Sequence, residues 1–179
     1  VQMMRYLRNN IGIPGTAGII PPGLPGFDSS LLGHYSYQPE KAKALLAAAG
    51  YRQRPLALQL ETNPAYLDLC IFIQRQWQQI GVELTINTSP GPTLRQLISK
   101  GEAGMFRASW IADYPDAENY LALAYGPNKT PYGPNYTRFQ HPTFDSLYRA
   151  AMAEPDVHQR AQLYQKQNAL LVAEAPYIV

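Results

Sequence analysis

Apolar positions recur along this chain with two different periods, and the change of period maps its elements. Leu56, Leu58 and Leu60 alternate with Ala57, Gln59 and Glu61, and Val82, Leu84 and Ile86 alternate with Glu83, Thr85 and Asn87. A period of two predicts a half-buried strand over each run. Between them Tyr66, Leu69, Cys70, Ile73, Trp77 and Ile80 fall at helical spacing, and Gly81 closes that helix. Ahead of the first strand, Pro39 opens a helix to Ala49 with Gly50 just past its end and Ala42, Leu45, Leu46 and Ala49 as its apolar stripe. Behind the second strand, Thr93–Lys100 predicts a short helix carrying Leu94, Leu97 and Ile98 and ended by Gly101. Met105 to Ile111 predicts a third strand, buried on both faces. The alternation of strand and helix over 55–112 gives the expected fold class: α/β (or α+β), with a mixed β-sheet and flanking helices.

The periodicity fails in two places. Residues 11–36 carry Ile13-Pro14-Gly15 and Ile20-Pro21-Pro22-Gly23-Leu24-Pro25-Gly26, which hold neither a helix nor a central strand. The stretch 1–36 is therefore expected to be an irregular strap leading into the rest of the chain. Residues 126–142, rich in Gly, Pro, Asn and Tyr, form a second irregular stretch. Around it, Asp116–Tyr125 and Phe144–Ala153 read as helices, the latter with Thr143 as cap. A last helix starts at the cap Asp156, with Gln159 at the capping-box position and Val157, Ala161, Tyr164 and Leu171 on its inner stripe. Pro176 ends it, and Tyr177-Ile178-Val179 reads as a strand cut short. With a first residue that is Val1 rather than Met, this suggests a piece of a longer protein, so the lack of a visible signal segment carries no weight. The expected organisation is one domain over 1–179.

Composition narrows the function classes. The chain is 46% hydrophobic and 16% charged, which is globular, and a net charge of +2 is too small to imply nucleic acid or a membrane surface. Cys70, the sole cysteine, excludes an internal disulfide and a thiolate-rich metal site; on its helix stripe it reads as a buried structural thiol. His34, His141 and His158 have no metal-ligand spacing, and His141 and His158 read as solvated. No nucleophile elbow, phosphate loop or zinc-protease motif is present. The sequence therefore predicts a non-enzyme with no metal and no cofactor.

Candidate chemistry concentrates in Arg107-Ala108-Ser109-Trp110-Ile111-Ala112-Asp113-Tyr114-Pro115-Asp116, which leaves a predicted strand and enters a Pro-containing turn. Ligands of open α/β sheets bind beyond the carboxyl ends of strands. Asp113 there can meet a cation such as a peptide α-ammonium, Trp110 can wall a side-chain pocket, and Arg107 can receive a carboxylate in a bidentate fork. Bland roles compete: an Asx-turn for Asp113, a helix cap for Asp116, core packing for Trp110, and an ion pair of Arg107 with Glu102 or Asp113. Local chemistry alone favours the turn for Asp113.

The segment resembles the peptide-anchoring segment of the family 5 extracellular solute-binding proteins, the oligopeptide- and dipeptide-binding components of ABC importers. Tyr37-Gln38-Pro39-Glu40-Lys41-Ala42-Lys43-Ala44-Leu45-Leu46 with Ala49-Gly50-Tyr51 resembles that family's signature helix. His141-Pro142-Thr143-Phe144-Asp145-Ser146-Leu147, then Arg160, Leu163, Tyr164, Gln167 and Ala175-Pro176, resembles its closing helices, and Ile20-Pro21-Pro22-Gly23 fits its strap. Gln38, Gly104 and Ser109 depart from the family's usual Asp, Asp and Gly.

The resemblance implies most of the C-terminal lobe of a two-lobed protein with a type II periplasmic-binding-protein fold. It implies hinge closure on a peptide, with a missing N-terminal lobe and ABC permease subunits as partners. The expected location is periplasmic, or lipid-anchored on the outer face of the membrane. By resemblance Asp113 takes the ligand α-ammonium, Arg107 its carboxylate and Trp110 a pocket wall. Relatives carrying opines, sugars or metal chelates supply the alternative ligand class.

Overall fold

The computed structural model describes residues 2–32 and 36–179; His34 lies outside them. They form two compact units, one of residues 2–14 and 37–109, the other of 15–32, 36 and 110–179.

The first unit holds α1 (Gln2–Leu7), α2 (Pro39–Ala48), β1 (Leu56–Thr62), α3 (Leu67–Gln78), β2 (Val82–Thr88) and α4 (Gly91–Lys100). The two strands pair in parallel from Leu56 opposite Val82 to Thr62 opposite Thr88. Parallel pairing needs a crossover, which α3 supplies. Leu60, Cys70 and Leu84 form the buried centre, with Leu58, Leu69, Ile73, Trp77, Ile86 and Met105 packed around it. The period-two runs and the Cys70 stripe thus meet as expected. Gly50, Gly81 and Gly101 follow their helices with positive φ, as the sequence predicts.

The third strand expected over Met105–Ile111 reduces to one parallel bridge between Phe106 and Glu61. Glu61 N–H donates to the Met105 carbonyl and Arg107 N–H to the Glu61 carbonyl, both at 2.9 Å. β1 ends one residue later at Thr62. Residues 108–111 therefore have no strand left to pair with, and Ile111 is 87% exposed rather than buried. The stripe expected on α2 also differs: no residue of this helix is buried and Leu45 is 61% exposed. Among the described residues of the strap expected over 1–36, α1 comes first and the rest is irregular apart from a short 3-10 turn at Ser29–Leu31.

The second unit holds α5 (Glu118–Leu121), α6 (Pro142–Ala153) and α7 (Val157–Glu174). Its core gathers Ile20 from the strap, Leu121 and Ala124, Phe144 and Tyr148 of α6, and Tyr164 and Leu171 of α7. The helix expected over Asp116–Tyr125 is four residues long. After it, Leu123, Ala124 and Tyr125 bond three residues back, the tighter 3-10 pattern.

Caps shift as well. His141, not Thr143, caps α6, its Nδ1 accepting from Phe144 N–H at 3.3 Å; His141 is half-buried rather than simply solvated. Asp156 caps α7 as predicted, accepting from His158 and Gln159 N–H. Those backbone donors favour its charged form and lower its pKa. The reciprocal bond to the cap's own N–H comes from Glu154 behind it, at 2.9 Å, rather than from Gln159. Val157 is 55% exposed, because the inner stripe of α7 runs through Tyr164, Gln167, Asn168, Leu171 and Val172. Tyr177–Val179 is not a strand among the described residues.

Two buried asparagines hold the irregular stretches. Asn168 of α7 accepts from Ile19 N–H at 2.9 Å and donates to the Ala17 carbonyl at 2.7 Å. Gly18, between them at φ +89°, has no room for a side chain: a Cβ there would lie 2.2 Å from the Asn168 Oδ1. Asn135 donates to the Tyr125 and Phe139 carbonyls and accepts from Phe139 N–H, which closes the 126–142 stretch around a fully buried amide. Buried polar groups of this kind require full pairing, and here the backbone supplies it.

Candidate functional site

The candidate site is carried by the segment that runs from the Phe106 bridge to α5, and it is built differently in each unit. The boundary falls between Ser109 and Trp110. Arg107 thus belongs to the first unit, and Trp110 and Asp113 to the second.

In the first unit, the turn after β1 sets the surroundings of Arg107. Asn63 Oδ1 accepts from Ala65 N–H at 3.0 Å and shapes the 3-10 turn Pro64–Tyr66. That turn leaves Tyr66 beneath Arg107, whose guanidinium carbon lies 3.2 Å from the ring centroid. Arg107 Nη1 donates to Ser109 Oγ at 3.3 Å. The hydrogen bond and the charge of Arg107 lower the phenol pKa of Tyr66 below its ordinary value. Among the described residues of this unit no ion pair involves Arg107, so the pairing with Glu102 weighed from sequence is not made. The side chain is half-buried near the carboxyl end of β1; the sequence reading placed the ligand beyond a third strand over Met105–Ile111, which reduces to the Phe106 bridge.

In the second unit, one side chain organises the segment. Asn119, 6% exposed, accepts at a single Oδ1 from the Trp110 indole N–H at 2.7 Å and from the Asp113 backbone N–H at 3.3 Å. Trp110 is consequently half-buried with its polar edge satisfied, and Asp113 is turned outward and exposed. The Asx-turn weighed for Asp113 is absent: the bond here runs from Asp116 N–H to the Tyr114 carbonyl, 2.9 Å.

The neighbouring carboxylates are committed elsewhere. Asp116 accepts from Glu118 N–H at 2.9 Å and sits 3.8 Å from Arg160. Glu118 accepts from the phenols of Tyr114 and Tyr148. Burial first, and Glu118 second, push the Tyr148 phenol well above its ordinary pKa, so it remains a donor. Tyr164 is raised by burial and then by its bond to Asp116. Tyr114, Asp116, Glu118, Arg160 and Tyr164 line a cleft of about 190 Å³ whose charges are satisfied within it. Within its unit, by contrast, no described side chain pairs with the Asp113 carboxylate. Among the described residues no group of three or more His, Cys, Asp and Glu is placed to hold a metal ion, and no helix is long and apolar enough to cross a membrane.

The profile of the bacterial extracellular solute-binding proteins, family 5 Middle, matches residues 2–132. The chain belongs to this family. It is similar to the dipeptide-binding protein of Escherichia coli, 28% identical over 167 residues, with 90% of this chain and 31% of that protein covered. It is similar to heme-binding protein A of Haemophilus influenzae, 30% identical over 169 residues, with 89% and 30% covered. Among solved structures it resembles the murein tripeptide binding protein MppA of Escherichia coli, at 25% identity and a TM-score of 0.85, with 98% of this chain and 35% of that one covered. The chain therefore spans about a third of the length of these relatives, and its helices and small sheet match the mixed α/β fold of this part of them.

Asn119 is the site residue that sequence reasoning missed. Its only local signal is a polar residue at the head of an apolar run, Tyr120-Leu121-Ala122-Leu123-Ala124 following it directly. Asn119→Ala leaves the Trp110 indole N–H and the Asp113 amide without their acceptor and should cost about 1–2 kcal/mol of stability. Asn119→Asp keeps an acceptor and should cost less; urea unfolding of the three proteins checks the order.

Proposed function

We propose that this chain is part of an extracytoplasmic solute-binding protein that captures peptides for an ABC-type importer, by binding without chemistry. Asp113 receives the ligand α-ammonium, Trp110 walls a side-chain pocket and Arg107 receives a carboxylate. The observation that carries the reading is the contrast along 113–118: Asp116 and Glu118 are tied up in their own unit, whereas Asp113 is exposed and unpaired there, with its backbone fixed by Asn119. A fixed carboxylate lacking a partner suits a cationic ligand group. The family and the dipeptide-binding relative support the class of ligand.

In this reading the chain is most of one lobe, 1–179 as a single domain-level piece, and the N-terminal lobe of the same protein supplies the opposing wall. Closure of the two lobes would desolvate Asp113. An exposed pair is worth only about 0–1 kcal/mol, so strong binding requires that second wall. The partners are a peptide and the membrane permease subunits, and the location is periplasmic or lipid-anchored on the outer face of the membrane.

The haem-binding relative keeps a second reading in view, the same fold carrying another solute. Mass spectrometry of ligand released by denaturing the full-length protein separates the two. Peptides with free N-termini are the expected cargo; a non-peptide solute without a cationic group would contradict the reading.

A further inference from the structure

We infer that Tyr66 is a positioning residue that fixes the plane of the Arg107 guanidinium and thereby gives the site its preference for a free carboxylate on the ligand. The inference rests on the reading of Arg107 as carboxylate receiver. Tyr66 stands at the end of the turn that follows β1, and that turn is pinned by Asn63. Its half-buried ring covers one face of the guanidinium, 3.2 Å from ring centroid to guanidinium carbon. Arginine's donors lie in the plane of the group; the Tyr66 phenol oxygen takes one of them, and the ring on the face takes no other. It leaves the edge for a planar anion and removes a rotation that an unsupported side chain would retain. The Arg107 backbone is fixed independently, by its N–H to the Glu61 carbonyl at 2.9 Å. Ser109 Oγ takes one edge donor at 3.3 Å, a long bond that an incoming carboxylate replaces with a charge-assisted one.

The pattern differs from a purely structural stack. A stacked arginine that only stabilises the fold ordinarily spends its edge on a protein carboxylate, and among the described residues of this unit none pairs with it. Substituting the ring therefore acts on the ligand's acid group in particular, through loss of guanidinium order. A cation–π contact at a partly exposed site corresponds to about a two- to fivefold effect.

The experiment uses the full-length protein and titration calorimetry. Peptides of two to five residues are compared as free acids and as C-terminal amides, and the length with the largest acid preference is kept. Tyr66→Leu should lower that preference about two- to fivefold, the larger loss falling on the free acids. Tyr66→Phe, which keeps the stack and loses only the phenol bond, should retain most of it, and Arg107→Ala should abolish it. Equal losses for acid and amide in Tyr66→Leu, or a loss in Tyr66→Phe as large as in Tyr66→Leu, would overturn the assignment. A wild-type protein that binds peptides of every length with no acid preference would overturn the Arg107 reading itself, before any variant is made.

Discussion

Replacing Asp113 by alanine in the full-length protein should weaken binding of a free-amine peptide by roughly thirtyfold to several thousandfold. The range follows from the cost of removing one partner of a desolvated charge pair, about 2–5 kcal/mol, at about 1.4 kcal/mol per tenfold. Where the measured loss falls reports how far closure dries the pair. A loss near the lower end means that water remains beside Asp113; a loss near the upper end means that the opposing lobe seals it. The substitution itself should be benign for folding. Asp113 is exposed, its carboxylate has no partner in its unit, and the segment is held through its backbone N–H, which alanine retains. Isothermal calorimetry gives the affinity, and thermal unfolding of the unliganded variant gives the control. A loss of less than about threefold with unchanged stability would mean that the pair, if formed, stays as weak as an exposed one.

The second large effect is structural and lies away from the site. Asn168→Ala removes two hydrogen bonds at once and leaves the Ala17 carbonyl and the Ile19 N–H facing a helix with nothing to offer them. Ala17 is 3% exposed and Asn168 itself fully buried, so water does not substitute readily. Each orphaned group costs about 1–3 kcal/mol, so a total loss of about 2–6 kcal/mol is expected in urea unfolding. Asn168→Asp should not rescue it: a carboxylate still accepts from Ile19 but faces the Ala17 carbonyl without a donor. Hydrogen exchange at Ile19 adds a local readout, since its amide should lose protection in Asn168→Ala, where its acceptor is gone, and keep more of it in Asn168→Asp. A stability loss below about 0.5 kcal/mol would show that the strap is held by Ile20 in the apolar core and not by the amide clamp.

What the sequence discloses and what it hides divide along one physical line. Leu56 to Leu60, Val82 to Ile86 and the Cys70 stripe were legible because burial there follows from period and from neighbours a few residues away. The glycines after α2, α3 and α4 were legible for the same reason. The fate of 105–111 was not, because a strand exists only if its partner is long enough, and β1 stops at Thr62. Caps were legible as to place but not always identity: His141 and Thr143 stand two residues apart, and the N–H of Phe144 selects between them.

Buried asparagines were least legible of all. Asn119, Asn135 and Asn168 belong to a residue type that ordinarily marks turns and surfaces, and their burial depends on backbone groups up to 151 positions away. The same limit applies to the site. Arg107, Trp110 and Asp113 could be proposed from a ten-residue stretch and a family resemblance, but Tyr66 and Asn119, which orient them, become visible only when the chain is folded.

The central claim is that Asp113 meets a ligand ammonium. The most direct measurement is calorimetry of the full-length protein with one peptide in two forms, free at its N-terminus and N-acetylated. The free amine should bind at least thirtyfold more tightly, and Asp113→Ala should bring the two forms close to equal. Equal affinities of the two forms for the unmodified protein would contradict the claim.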